Sequence, residues 1–202
     1  MARPLPAGPF GVIHADPPWR YHAFSTKGEK RSAKRHYPVM TLDDICALPV
    51  RDAAAKDCHL FLWTTGPNLF QSQRVIGDWG FRFSAMAFVW IKLRPGADRL
   101  FLVPSRALSG KGGDFHIGMG HTTRKNAEFC LLGRRGSPKR ISKGIFELIF
   151  APVREHSRKP DEIYERIEAY AGGPYLDLFS RQTRPGWTAW GDEAGKFDGV
   201  AA

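Results

Sequence analysis

Phe10-Gly-Val-Ile-His-Ala-Asp-Pro-Pro-Trp19 is the stretch that decides how the rest of the chain is read. Phe10 to Ala15 is a short apolar run with the look of a buried β-strand. Two consecutive prolines cannot continue a central strand, because each lacks the N–H that the ladder needs. The chain therefore leaves the sheet at Asp16 as a stiff turn presenting an acid, bare carbonyls and an aromatic plane. In an open α/β sheet the carboxyl end of a strand is where ligands bind.

That combination suits one kind of chemistry. The exocyclic amine of adenine is a poor nucleophile, because its lone pair is delocalised into the ring. An ionised Asp16 accepts one of its N–H bonds and the Pro17 carbonyl can accept the other. Two fixed acceptors favour a pyramidal, nucleophilic nitrogen in the transition state. Trp19 offers a face on which a base could stack, worth roughly 1–3 kcal/mol. Taken alone, Asp-Pro-Pro reads more readily as a surface turn before a partly buried Trp. The strand before it and the aromatic after it turn the reading toward catalysis.

The 202 residues, 43% of them hydrophobic, can build one sizeable core, and one domain over 1–202 is expected. The formal charge of +10 suits a polyanionic partner, most simply nucleic acid, although a solvated basic surface would give the same count. Cys46, Cys58 and Cys130 form no Cys-x-x-Cys pair, so neither a disulfide framework nor a zinc site is signalled. No metal site is expected at the histidines. No long apolar segment or signal-peptide pattern occurs, so a soluble, cytoplasmic protein with no membrane partner is expected.

Outward from the turn, residues 20–37 read as a basic loop with Lys30, Arg31, Lys34 and Arg35 placed to contact phosphates over a bound nucleotide. Thr41 reads as the N-cap of a helix carrying Leu42, Ile45 and Leu48 and ended by Pro49. His59–Thr64 is a second strand, Leu69–Trp79 a helix closed by Gly80, and Phe83–Lys92 a third strand. This alternation predicts a mostly parallel, doubly wound sheet with helices on both faces. Residues 94–125 form a long basic, Gly-rich loop containing Arg124, and such loops are usually functional or disordered. Gly110-Lys111 lacks the spacing of a P-loop. Glu128–Arg134 is a strand expected to pair with Phe83–Lys92, and Phe146–Pro152 is another. Pro160 stands where helix position N1 is expected, and Gly172-Gly173 stop that helix. Tyr175–Phe179 and Trp187–Trp190 are the last strands, followed by a disordered tail over 194–202.

These residues resemble a known family, the DPPW-type adenine-N(6) methyltransferases, which include the catalytic subunit of the eukaryotic mRNA adenosine methyltransferase. The landmarks are Ala15-Asp-Pro-Pro-Trp19, Tyr37-Pro-Val-Met-Thr-Leu-Asp-Asp44, Leu60-Phe-Leu-Trp63 and Phe88-Val-Trp-Ile-Lys92. They continue with Gly118-Met-Gly-His121, Asn126-Ala-Glu-Phe-Cys-Leu-Leu-Gly133, Ser157-Arg-Lys-Pro-Asp-Glu-Ile-Tyr164, Leu178-Phe-Ser-Arg181 and Pro185-Gly-Trp187. They occur in family order over about residues 10 to 193.

The resemblance implies a Rossmann-like methyltransferase domain using S-adenosylmethionine and no metal. It implies a catalytic turn of Asp16, Pro17, Pro18 and Trp19, with Trp19 and Tyr37 bordering a flipped adenine. It places Asp16, Ser157, Lys159, Asp177, Phe179, Arg181, Asp192 and Glu193 on the cofactor side. Two departures stand out. The family's His-Asn pair after the arginine is Gln182-Thr183 here, with a shorter link to Pro185. Longer relatives have a strand before the catalytic turn that contacts the cofactor's adenine, whereas nine residues precede Phe10. Weak cofactor binding without help from substrate or a partner is therefore expected. The compact chain resembles bacterial or phage members, with nucleoid-associated use. DNA is the first substrate expected, RNA the second, and a non-catalytic nucleic-acid-binding subunit the third reading. The sequence leaves monomer and dimer open.

Overall fold

Strand β1, Phe10–Ala15, runs through the middle of the molecule and is buried along nearly its whole length. The computed structural model describes residues 4–20, 39–96, 114–116, 118, 123–155 and 157–199. After β1 come α1 (Leu42–Cys46), α2 (Val50–Ala53), β2 (Ala54–Thr64), α3 (Leu69–Asp78) and β3 (Arg82–Leu93). They are followed by β4 (Ala127–Arg135), β5 (Leu148–Pro152), α4 (Glu162–Tyr170), β6 (Tyr175–Leu178) and β7 (Trp187–Trp190). One seven-stranded sheet has the order β5-β3-β4-β2-β1-β6-β7. Strand β4 is antiparallel to both neighbours and every other pairing is parallel. The expected mostly parallel sheet, and the pairing of β4 with β3, are both seen.

Strand β1 and the second half of β2 are apolar on both faces because both faces are covered there. Ile13, Leu60 and Leu62 pack with Ile45 of α1 and Val75 and Ile76 of α3 on one side. Val12, Phe61 and Trp63 pack with Ile163 and Ile167 of α4 on the other. The two-residue period of a strand assigns neighbouring residues to the two cores. Burying each such side chain contributes roughly 1.5–3 kcal/mol.

Local chemistry sets the element ends. Thr41 caps α1 in a reciprocal box with Asp44. Gly80, at φ +83, takes the left-handed position after α3. Three boundaries differ from the sequence reading. Beyond Pro49 a further turn of helix, α2, precedes β2, which starts at Ala54 because Ala54 pairs with Phe10. Strand β5 starts at Leu148, and Phe146 is exposed. Helix α4 has Asp161 as N-cap, so Pro160 precedes the helix instead of occupying N1, and its carbonyl accepts from Ile163 N.

A larger correction concerns the end of the chain. Residues 194–199 form consecutive turns, contrary to the expected disordered tail. Phe197 is buried, its N–H donates to the Arg181 carbonyl, and Asp198 accepts from Thr183 N and Oγ1. Residues 200–202 lie outside the described residues, as do 21–38 and most of 97–122. The described ends of both long excursions are stitched together. Met40 N donates to Pro18 O, and Arg94 N and His116 N bond to Asp114 O and Lys92 O. No helix of the described residues is long and apolar enough to cross a membrane.

Candidate active site

Because six strands are parallel and β4 runs the other way, the carboxyl ends of six strands and the amino end of β4 share one edge. The chain crosses from one half of the sheet to the other between β1 and β6, the usual place for a ligand crevice. Asp16 leaves β1 at that crevice.

The Asp16 turn is clamped by its own backbone. Trp19 N donates to Pro17 O at 2.8 Å, and Met40 N donates to Pro18 O at 3.0 Å. A carbonyl oxygen accepts two bonds, so Pro17 O keeps one acceptor position beside Asp16. Trp19 Nε1 donates to the Trp63 carbonyl at 3.0 Å, and the indole is only 5% exposed within the core. That in-plane bond fixes the turn, and Trp19 borders the smaller of the two clefts at this site.

Asp16 is not alone. Lys159 Nζ lies 2.6 Å from Asp16 Oδ2 and 3.2 Å from Glu128 Oε2, and Lys92 Nζ lies 2.5 Å from Glu128 Oε1. Acid and base alternate along Asp16–Lys159–Glu128–Lys92. Burial pushes the Asp16 carboxyl above the usual carboxylate range, against the pull of Lys159, and the nearby Glu128 charge adds to the rise. Burial also acts on Glu128, but Lys159 and Lys92 outweigh it and hold its carboxyl down at about 2. Glu128 is thus the fixed anion of the chain and Asp16 the more basic one.

Two clefts meet here. The larger, about 410 Å³, opens between β1 and β6 and is lined by Asp16, Ser157, Arg158, Lys159, Phe179 and Arg181, among others. The smaller, about 270 Å³, is lined by Asp16, Pro17, Trp19, Thr64, Thr65, Glu128, Ser157 and Lys159. Asp16, Ser157 and Lys159 border both. Ser157 and Phe179 adopt φ of +63 and +62, conformations that cost a non-glycine residue about 1–3 kcal/mol and gather at functional sites. A Cβ on Gly191 would lie 2.7 Å from Ser180 O, so this glycine lets the ends of β6 and β7 approach.

The floor of the larger cleft is a buried polar chain. An indole N–H only donates, so Trp63 Nε1, 2.8 Å from His14 Nε2, requires that nitrogen to be bare. The His14 proton is then on Nδ1, which donates to Asp177 Oδ1 at 2.6 Å, while Tyr164 Oη donates to Oδ2 at 2.9 Å. Asp177 was expected as a cofactor ligand. It does line the cleft, but both of its oxygens already hold a protein donor. Burial and the Asp177 charge keep the Tyr164 phenol well above its ordinary pKa, so it remains a donor.

The other sequence-predicted residues divide. Ser157, Lys159, Phe179 and Arg181 border the larger cleft. Glu193 is ion-paired with Arg181 at 2.9 Å and with Lys196, Asp192 is exposed, and neither borders a cleft. Arg124 is exposed and also borders neither. Tyr37, Lys30, Arg31, Lys34 and Arg35 lie outside the described residues. Sequence reasoning missed the roles of His14, Glu128, Arg158, Tyr164 and Phe197. A histidine two residues before the acid on an apolar strand was a usable signal for the first. All three cysteines are buried and their thiols are pushed up, Cys46 to about 11 and Cys58 to about 12, so none is poised as a thiolate nucleophile.

The fold is a Rossmann-like α/β fold, with an acid turn between two clefts. Comparison with known proteins makes the class specific. The MT-A70 family model matches residues 10–193, and the chain belongs to that family. It is 29% identical to the Type II methyltransferase M.MunI of Mycoplasma sp. over 207 residues, covering 94% of this chain and 79% of that protein. It is 30% identical to the N(6)-adenosine-methyltransferase MT-A70-like protein of Drosophila melanogaster over 197 residues, or 96% of this chain. It is 29% identical to the N(6)-adenosine-methyltransferase catalytic subunit METTL3 of Homo sapiens, again over 96% of this chain. The chain spans only 28% and 29% of those two eukaryotic relatives.

Proposed function

We propose that this chain transfers a methyl group from S-adenosylmethionine to the 6-amino nitrogen of adenine in DNA. The carrying observation is the pair of clefts that share Asp16, Ser157 and Lys159 as a common wall. A donor in one and a base in the other would face each other across Asp16. The larger cleft fits the donor chemically, since Arg158 Nε is buried on its wall with no hydrogen-bond partner among the described residues. Bound there, S-adenosylmethionine supplies an electrophilic methyl on a sulfonium.

The residues of the chain do the rest by positioning. Lys159 holds Asp16 Oδ2, which leaves Oδ1 to accept one N–H of the amine. The open acceptor position on Pro17 O takes the other. The two acceptors would stabilise the positive charge that builds on the attacking nitrogen as the methyl–sulfur bond breaks and S-adenosylhomocysteine leaves, and Asp16 would take the proton that the amine sheds. Glu128 and Lys92 fix Lys159 from behind. The adenine must be extruded from a duplex, or already single-stranded, to enter the smaller cleft.

DNA is preferred on the likeness to M.MunI, which extends over most of both chains. The likeness to the N(6)-adenosine-methyltransferases keeps RNA as the second reading. The test is methyl incorporation from labelled cofactor into DNA and RNA of matched sequence, each single- and double-stranded, followed by nucleoside analysis. N6-methyladenine in DNA alone is expected; incorporation confined to RNA would reverse the substrate, and none in either would remove the reading.

A further inference from the structure

We infer that Arg158 is the anchor for the carboxylate of S-adenosylmethionine in this chain; the inference rests on the methyltransferase reading above. Arg158 lines the larger cleft and is 5% exposed. It does not border the smaller one.

Its surroundings leave a positive charge in excess. Arg154, Arg158 and Arg184 gather around Asp161, and Glu155 is the other acid of the group. Each oxygen of Asp161 already takes a guanidinium, one Arg154 at 2.7 Å and the other Arg184 at 2.8 Å. Arg158 is 3.9 Å from Asp161, beyond hydrogen-bond distance, and its acid partner is the largely solvent-facing Glu155 at 3.1 Å. Three guanidiniums thus share two carboxylates. A buried cation short of a counter-charge is costly unless an anion arrives.

The fork is also set for one. One terminal nitrogen of Arg158 is held by Glu155 Oε2 and the other donates to Gln182 Oε1 at 3.2 Å. The guanidinium carbon lies 5.2 Å from the centre of the Phe197 ring. Both ends are fixed while Nε, buried, has no partner among the described residues. A planar guanidinium presents Nε–H and a neighbouring N–H along one edge, the geometry that takes a carboxylate with two bonds. The only anionic group of the cofactor is its carboxylate. Lys159 is committed elsewhere, between Asp16 and Glu128. Gln182, which stands at the first position where this chain departs from the family's His-Asn pair, is the residue that orients Arg158. The departure and the anchor belong to one arrangement.

Isothermal titration of the full chain with S-adenosylhomocysteine and with 5′-deoxy-5′-methylthioadenosine, which lacks the amino-acid end, tests this. Arg158→Met should weaken the first ligand on the order of tenfold to a hundredfold and leave the second within about twofold, the size of a lost charge-assisted pair. Arg158→Lys, which keeps the charge but not the fork, should fall between. Gln182→Ala should weaken only the ligand that carries the carboxylate. Equal loss for both ligands in the Arg158 variants would show a structural role and overturn the inference, as would unchanged binding of S-adenosylhomocysteine. Should Arg158→Met not fold, Arg158→Lys and Gln182→Ala decide by the same selectivity. Failure of the methyl-incorporation assay above would overturn the methyltransferase reading itself; a chain that binds both ligands, with no selective loss in the variants, would overturn the anchor alone.

Discussion

Lys159 Nζ stands between two buried carboxylates, 2.6 Å from Asp16 Oδ2 and 3.2 Å from Glu128 Oε2. One cation divided between two acids leaves the acid with no second cation, Asp16, the more basic of the two. That acid is at the wall common to both clefts.

The acidic limb of the pH–rate profile should therefore lie above the ordinary aspartate value of 3.8, because Asp16 must be ionised to accept from the amine and its pKa is raised. Lys159→Met removes the charge that pulls this pKa down, so the limb should move further toward neutral pH. A kcat/KM profile for both proteins reads this directly. An acidic limb that stays in place in the variant would show that Asp16 does not control it.

Glu128 has the opposite sign. Its folded-state pKa of about 2 lies below the ordinary glutamate value of 4.5, so the stability it contributes is fully present above about 4.5 and is lost as pH falls toward about 2. The shift corresponds to roughly 3 kcal/mol at most, with Asp16 opposing it over part of the same range. Urea titrations from pH 2 to 6 should show a steeper acid loss for wild type than for Glu128→Gln. Parallel curves would contradict the Lys92–Glu128–Lys159 arrangement.

The buried chain Trp63–His14–Asp177–Tyr164 should behave as a unit. Tyr164→Phe removes one donor to Asp177 and should cost about 1–3 kcal/mol. His14→Leu strands both the Trp63 N–H and an Asp177 oxygen and should cost more than that. Denaturant titration of both single variants and the double variant should give a coupling of about 0.5 kcal/mol or more. Simple additivity would mean that the two donors do not share Asp177.

Phe197 closes the rim of the larger cleft, so Phe197→Ala should cost about 3–5 kcal/mol at full burial and somewhat less at its 7% exposure. It should also weaken cofactor binding. Thermal melts with and without S-adenosylhomocysteine measure both effects. A variant as stable as wild type would return residues 194–199 to the status of a loose tail.

The parts of the fold that were legible were those governed by local rules. Phe10–Ala15 and Leu60–Trp63 are apolar on both faces, and Thr41 and Gly80 mark helix ends by their own chemistry. Asp16 was legible because two prolines force the chain out of the sheet. What local reading could not supply was the set of partners. Glu128 begins an antiparallel strand, and only the strand order brings that end beside Asp16. The bond from Trp19 Nε1 to the Trp63 carbonyl was not legible either, because a sequence shows an aromatic residue but not its hydrogen-bond partner. Phe197 stands among Gly, Lys and Asp, and its burial depends on Arg158 and Arg181 meeting its ring from distant segments.

The central claim is that Asp16, at the wall shared by two clefts, directs methyl transfer to adenine. It is tested most directly by N6-methyladenine formation from labelled S-adenosylmethionine on an adenine-containing DNA, for wild type beside Asp16→Ala, with folding of both checked by circular dichroism. Loss of a preorganised acceptor of this kind costs about a hundredfold or more, so the account predicts N6-methyladenine from wild type and essentially none from a folded variant. Substantial methylation by folded Asp16→Ala would contradict it.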